Sequence, residues 1–198
     1  MLAALLLAIL SSSTAASALA LPVSVSEDAA LTDSTVGELR AETERLLRLA
    51  NLQIEWRPEA SLAYASLWIT PRPESRRVVG CRRGLHDHRL GHASLGSNEV
   101  TLFVDHVARA ATGDWDSPTT PRISERDLGR ALARALVHEL GHLLLNERSH
   151  RRRGIMRPTI SQRDLVAEKS KSMMFSPSEV SELRERLASP AAADAGAK

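Results

Sequence analysis

The chain has 198 residues and a formal net charge of only +2, which suits one domain with its own core. This weak charge, with aromatic residues at 3% of the chain, excludes a nucleic-acid-binding protein, which needs a broad basic patch and aromatic platforms. A single cysteine, Cys81, excludes an internal disulfide framework.

The first 20 residues have the pattern of a cleaved export signal. An apolar run from Leu2 to Leu10 is followed by a Ser/Ala stretch that ends in the cleavage pattern Ala18-Leu19-Ala20. Basic residues before the run are missing, and the run is too short to span a membrane. We expect a signal peptide over 1–20, a secreted or periplasmic protein, and no stable membrane insertion after the signal is removed. A disordered Ala-rich tail is the alternative.

Hydrophobic periodicity predicts one helix and two strands in the first half of the chain. Apolar residues recur at helical spacing between charges from Thr35 to Leu49, and apolar and polar residues alternate after Leu52. The predicted segments are a flexible leader (21–33), a helix (35–49), two strands (52–56 and 63–70) and an irregular loop (71–91).

A long amphipathic helix dominates the second half. Ser124 is its predicted N-cap, with Asp127 at the third helical position, and apolar residues continue beyond them at helical spacing. Ser176, Pro177 and Glu179 predict the start of a C-terminal helix. The other predicted segments are two short strands (92–96 and 100–104), a helix (105–111), a loop (112–123) and a disordered tail (189–198), so that the domain covers 34–188.

The segment His138-Glu-Leu-Gly-His142 on the long helix has the spacing of a metal site. Residues four apart on an α-helix lie on one face, so both imidazoles can face one ion. Glu139 can reach a water in the open position of that ion. A third histidine, His150, would leave the fourth position of a tetrahedral zinc open, as catalysis requires. The pattern predicts one zinc per chain.

With His150 and the following Ile155-Met156-Arg157-Pro158, this motif resembles the metzincin clan of zinc-dependent metallopeptidases. The clan's pattern is H-E-x-x-H-x-x-G-x-x-H followed by a methionine turn. The resemblance covers residues 124–158 and implies three ligands (His138, His142 and His150), a general base (Glu139) and a methionine beneath the metal (Met156). It also implies a compact α/β (α+β) domain. In such a domain a small twisted mixed sheet packs on an N-terminal helix and the active-site helix, and a further helix lies at the C terminus.

The chain departs from the clan in the linker before the third histidine. Metzincins place a glycine three residues after the second histidine, whereas here this position is Leu145 and His150 comes two residues late. Asn146 can end the helix instead, because asparagine tolerates the left-handed conformation. Glu147 is the alternative third ligand. The remaining histidines are more simply surface or edge-strand residues: His86, His88, His92 and His106.

Four further features have both a functional and a structural interpretation. Met156 fits a turn under the site, although a methionine is more often plain core. Residues 92–96 correspond to the clan's substrate-binding edge strand or form an ordinary sheet edge. The Cys81 thiolate could keep an enzyme latent by occupying the open zinc position, but a partly buried or free thiol is the simpler interpretation. The basic run Arg151–Arg153 is most simply a solvated loop.

These patterns predict a zinc-dependent metallopeptidase that acts on a peptide or protein substrate and binds no nucleic acid. Two alternatives from other classes stay open: an exported zinc-binding module without turnover, and a zinc hydrolase of a non-peptide amide. Glu139 argues against the binding module, because a purely structural zinc site has no use for that carboxylate.

Overall fold

A computed structural model describes residues 19–27, 30–58, 65–70 and 89–188 of the chain. The predicted signal segment up to residue 18 and the predicted tail lie outside the described residues, as do three side chains considered above: Cys81, His86 and His88. No helix in the described ranges is long and apolar enough to cross a membrane.

A mixed sheet forms the framework of the molecule. Its strands are β1 (Leu19–Glu27), β2 (Leu52–Pro58), β3 (Ala65–Thr70), β4 (Gly91–Ser94) and β5 (Glu99–Phe103). Their order across the sheet is β2-β1-β3-β5-β4. Strands β2, β1, β3 and β5 are parallel to one another, whereas β4 pairs antiparallel with β5. In the part of the chain that the structure describes, strand β4 therefore lies at an edge of the sheet and pairs only with β5.

The helices are α1 (Asp33–Leu49), α2 (Val104–Thr112), α3 (Glu125–Leu145), α4 (Gln162–Val166) and α5 (Pro177–Ala188). Helix α3 is the centre of the helical layer, because every residue from 129 to 145 is buried and because α1, α2, α4 and α5 all contact it. Leucines from α1 and α3 join the strand residues in one core cluster. The α/β fold class predicted from the sequence is confirmed.

The prediction of a flexible leader over 21–33 is wrong. Residues 19–27 form β1, which is paired on both sides, with β2 and with β3. Leu21 and Val23 are 2% and 1% exposed, so this strand is part of the core, and the packed unit begins before residue 34. The signal was the alternation of Leu21, Val23 and Val25, which Pro22 obscured because proline donates no ladder hydrogen bond. Cleavage after Ala20 stays a prediction, and it would remove two residues of β1.

The other predicted elements occur where the periodicity placed them, with ends shifted by one or two residues. Besides β1, one further element was missed. Helix α4 has only five residues and is capped by Ser161, whose hydroxyl accepts a hydrogen bond from the backbone N–H of Asp164. So short a helix contains little more than one turn, and its one buried apolar residue, Leu165, produces no periodic pattern.

A buried ion pair joins α1, α3 and the segment after α4. Arg134 is 0% exposed, and its guanidinium lies 2.8 Å from a carboxylate oxygen of Glu42. It also donates to the carbonyls of Asp164 and Ala167, at 2.6 Å each. Burial alone would raise the pKa of Glu42, but hydrogen bonds and charges from Arg45 and Arg134 outweigh it and lower that pKa. Such a satisfied pair holds the chain that runs past α4 against α3.

Candidate metal centre

Local signals set both ends of helix α3. The Ser124 hydroxyl accepts a hydrogen bond from the backbone N–H of Asp127 at 3.1 Å, which is the predicted N-cap. Asn146 ends the helix in the left-handed conformation, with φ 49° and ψ 43°, as predicted. His138 and His142 lie in the last two turns, each 8% exposed, so the helix delivers both imidazoles to one buried place.

The linker after Asn146 brings His150 back to this pair. The three histidines each offer a ring nitrogen, and these atoms all lie within 4.8 Å of one another. The ring centre of His150 is 5.2 Å from that of His138 and 4.9 Å from that of His142. In the described parts of the chain, no other group of three histidine, cysteine or acidic side chains comes together in this way.

Backbone carbonyls orient the two helical histidines. Nδ1 of His138 donates to the carbonyl of Ile155, and Nδ1 of His142 donates to the carbonyl of Glu147, both at 2.7 Å. A carbonyl only accepts, so Nδ1 carries the proton in each ring and Nε2 keeps its lone pair. Burial lowers the pKa of His138 to about 4, which keeps this imidazole neutral at pH 7. Neutral imidazoles with this kind of outer hydrogen bond are the ligands that zinc prefers, so the residues fit the ion.

The other candidate ligands have different surroundings. Glu147, the alternative third ligand, turns its carboxylate to Arg151 and Ser149 and contributes only its backbone carbonyl to the site. His106 lies on α2, where its Nδ1 is 2.8 Å from the carbonyl of Arg89. His92 is exposed on β4 and lines the cleft beside the three histidines without joining their group.

Glu139 is buried beside the histidines. It is 8% exposed, and burial raises its pKa to about 7 against the opposing effects of the Arg89 charge and a hydrogen bond from the backbone of Ala93. Strand β4 passes next to it at Gly91. A Cβ at Gly91 would lie 3.1 Å from Cγ of Glu139 and 2.7 Å from the carbonyl oxygen of Thr101. Only glycine therefore allows the edge strand to pass this close to the carboxylate.

Met156 packs under the motif. It is 1% exposed, and its sulfur lies directly against Gly141, where an added Cβ would collide with it. The glycine between the two helical histidines therefore leaves room for the turn. That turn is held by hydrogen bonds from Arg151 N–H to the Met156 carbonyl at 2.8 Å and from Ile155 N–H to the Met174 carbonyl at 2.9 Å. Gly154 supplies the positive φ, 78°, that the turn requires.

A cleft of about 1060 Å³ opens above these residues. Residues 89–96, which include β4, line one part of it, and residues 157–160 with Gln162 line another. The three histidines and Glu139 lie in the same cleft. The edge strand predicted over 92–96 is thus present as β4, which begins one residue earlier and ends two residues earlier than expected and borders the site.

A polar cluster supports the 157–162 part of the cleft and was not found from the sequence. The carboxylate of Asp164 accepts hydrogen bonds from Arg157 and from three hydroxyls: Ser161, Ser170 and Ser172. Burial alone would raise the pKa of Asp164, but these hydrogen bonds lower it well below its usual range. The only signal in the sequence was the Ser161-x-x-Asp164 capping pattern, which predicts the cap of α4 but not the approach of Arg157.

Comparison with known proteins adds a structural neighbour. No protein-family model matches the chain, and no curated protein matches its sequence. The fold resembles that of archaemetzincin. The crystal structure of archaemetzincin from Methanopyrus kandleri superposes with a TM-score of 0.57 over 87% of this chain and 97% of that chain, at 13% identity. At this identity the likeness shows only that the two proteins share a fold. The name of the neighbour indicates that the neighbour belongs to the metzincin clan, which the motif of this chain resembles.

Proposed function

We propose that the protein is a zinc-dependent metallopeptidase in which His138, His142 and His150 hold one zinc and Glu139 is the general base. The observation that carries the proposal is the group of three histidine donors within 4.8 Å of one another, with a buried carboxylate beside it in the same cleft. The metzincin-like fold, seen in the likeness to archaemetzincin, supports it.

Each group of the site has a separate role in the proposed peptide hydrolysis. When bound, zinc would polarise the scissile carbonyl and make a water acidic enough to attack it near pH 7. Glu139, buried beside the histidines in the same cleft, is placed to accept a proton from that water and to give it to the leaving amine. The carbonyls of Ile155 and Glu147 keep the helical imidazoles in the orientation that binding requires.

The edge strand supports a peptide rather than a small amide as substrate. Among the described strands β4 pairs only with β5, and it borders the cleft. An extended peptide can add to such an edge through backbone hydrogen bonds, which are indifferent to side-chain identity. A peptide placed there would pass the histidines and Glu139, so the proposal favours peptide bonds over non-peptide amides.

Replacement of Glu139 tests the proposal. Glu139→Ala should leave zinc content and folding nearly unchanged and should slow hydrolysis of a diverse peptide pool by the roughly 10²–10⁴-fold expected for loss of a general base. Zinc content can be measured by elemental analysis and cleavage by mass spectrometry, with and without a chelator. Glu125→Ala is the matched control, since this exposed glutamate lies on the same helix far from the site.

Two outcomes would contradict the proposal. In the first, wild type and Glu139→Ala cleave the pool equally, so that Glu139 is not the base. In the second, zinc-loaded wild type cleaves nothing, and the zinc-binding module without turnover takes the place of the peptidase.

A further inference from the structure

The charges that line the cleft are unequal. Among the described residues around it, three arginines contribute positive charge, and Glu139 is the one carboxylate. The arginines come from separate segments: Arg89 precedes β4, Arg148 lies in the linker between the second and third histidines, and Arg157 follows Met156. A group of positive charges in a concave site attracts anions more strongly than the same charges on a flat surface.

Within the described ranges, Arg148 differs from the other two arginines in having no ionic partner. Its side chain is exposed in the cleft, and within the described ranges it makes no ion pair or hydrogen bond. Its neighbour Arg151 differs, because its guanidinium lies 2.5 Å from Glu147 and 3.2 Å from Glu182. Glu147 and Glu182 therefore pair with Arg151, whereas the charge of Arg148 is not compensated by any described residue that lines the cleft with it, apart from Glu139.

Arg157 adds little net charge to the cleft, because Asp164 pairs with it, but its guanidinium has a fixed orientation. One of its terminal nitrogens is paired with Asp164, and its side chain is only 21% exposed, so the guanidinium is held in place. A guanidinium carries five N–H donors in a planar fork, and the pair with Asp164 occupies one nitrogen. A fixed donor group, Arg157, and an exposed charge, Arg148, thus line the same cleft.

Resting on the proposed function, we propose that the cleft selects substrates with a carboxylate close to the scissile bond. Guanidinium groups bind carboxylates through charge-assisted, often bidentate hydrogen bonds, and a lysine or arginine side chain at the same place would be repelled. The carboxylate has two possible sources, an aspartate or glutamate side chain of the peptide or its free C terminus. Both present the same group to Arg148 and Arg157.

Cleavage of paired peptides tests this inference. A peptide cut by the zinc-loaded wild type is remade with each acid near the cut replaced by its amide, and separately with an amidated C terminus. The wild type should cleave the acidic form about two- to fivefold faster than the matching amide, the range typical of one solvent-accessible ion pair. Whichever change slows cleavage identifies the source of the carboxylate. The preference should weaken as salt is raised, because exposed charges are screened.

Variants of Arg148 connect the preference to the cleft. Arg148→Gln should remove most of the preference and Arg148→Glu should reverse it, with zinc content unchanged in both. Arg152→Glu is the matched control, because Arg152 is exposed shortly after His150 and alters the net charge equally but does not line the cleft. Equal cleavage of the acid and amide forms by wild type, or an equal shift in the Arg152 control, would overturn the inference while the peptidase stands.

A binding measurement separates this inference from the proposed function. The same fluorescent peptides are titrated with zinc-loaded Glu139→Ala, with and without Arg148→Glu, and followed by anisotropy. If nothing is cleaved but acidic peptides bind more tightly in an Arg148-dependent way, the peptidase fails and the carboxylate preference stands. If nothing is cleaved and the acid and amide forms also bind with equal affinity, the peptidase and the carboxylate preference both fail.

Discussion

His138 and His142 are buried on helix α3, whereas His150 is exposed in the linker that follows it. The helical pair is positioned by intrahelical hydrogen bonds and by carbonyls that accept from both rings. The position of His150 depends instead on contacts of the linker with other segments, such as Arg151 with Met156 and with Glu182. One candidate metal site thus combines two histidines placed by local periodicity with a third placed by tertiary contacts. Three sets of variants test this difference.

The largest effect should come from the ligands themselves. Each of His138→Ala, His142→Ala and His150→Ala removes one of three proposed donors, so zinc affinity should fall by more than the roughly 10–100-fold typical of losing an outer hydrogen-bond partner. Without metal, only the two helical variants should lower the melting temperature, because only these rings are buried. Zinc titration with a competing chelator and thermal denaturation measure the two effects.

Two controls accompany the histidine series. His106→Ala removes a histidine outside the group and should bind zinc as tightly as wild type. Glu147→Ala removes a carboxylate paired with Arg151 and should weaken binding modestly. Full zinc affinity in His150→Ala together with a large loss in Glu147→Ala would show that Glu147, not His150, is the third ligand.

An intermediate effect is expected from Asp164, which supports the loop side of the cleft. Asp164→Asn should lower the free energy of unfolding at pH 7 by about 1.5–3 kcal/mol, the range for hydrogen bonds to a charged group. The folded-state pKa of Asp164 is depressed, so its stabilisation is present above the unfolded pKa of about 3.9 and is lost as the pH falls through the folded-state pKa. The difference in free energy of unfolding between wild type and Asp164→Asn should therefore be largest at pH 7 and smaller at pH 3.

Urea denaturation of the metal-free protein at pH 7, 5 and 3 measures this dependence, since metal loss at low pH would otherwise contribute. Asp116→Asn is the control, because this exposed aspartate changes the charge equally outside the polar cluster. A deficit that is the same at all three pH values would mean that the charge of Asp164 is not what stabilises the loop.

The smallest effect should come from Asn146, at the junction between helix and linker. Its φ of 49° is unfavourable for most side chains, so Asn146→Ala should cost about 1 kcal/mol and Asn146→Gly should be nearly neutral. Denaturation of the metal-free variants gives the stabilities, and zinc titration shows whether the linker still delivers His150. An alanine variant as stable as wild type would show that the left-handed end is not required.

The elements with strong local signals were predictable from the sequence. Helix α3 has its Ser124 cap, its apolar periodicity and its Asn146 end, each of which involves residues a few positions apart. The capping box of α5 is similar, with Ser176 and Glu179 bonded to each other's backbone. The helical half of the candidate site follows from this, because the four-residue spacing of His138 and His142 puts both on one face.

Strand β1 and the supports of the cleft were missed because their partners are distant in sequence. Viewed in the sequence alone, the segment of β1 has no strong strand pattern. Leu21 and Val23 become core residues only because β1 pairs with β2 on one side and with β3 on the other. The approach of Arg157 to Asp164 likewise depends on the turn under α3 and on α4, and no periodic pattern encodes it.

Helix α3, its caps, its two histidines and the glutamate between them were predictable without the fold, because helical hydrogen bonds and side-chain spacing act over three to four residues. Tertiary structure alone decided the place of β1, the closeness of Gly91 to Glu139, and the buried pair of Glu42 and Arg134, whose partners lie 92 residues apart. The physical reason is that charges and strand edges have many possible partners along the chain. Only the folded core, by excluding water, selects one of them.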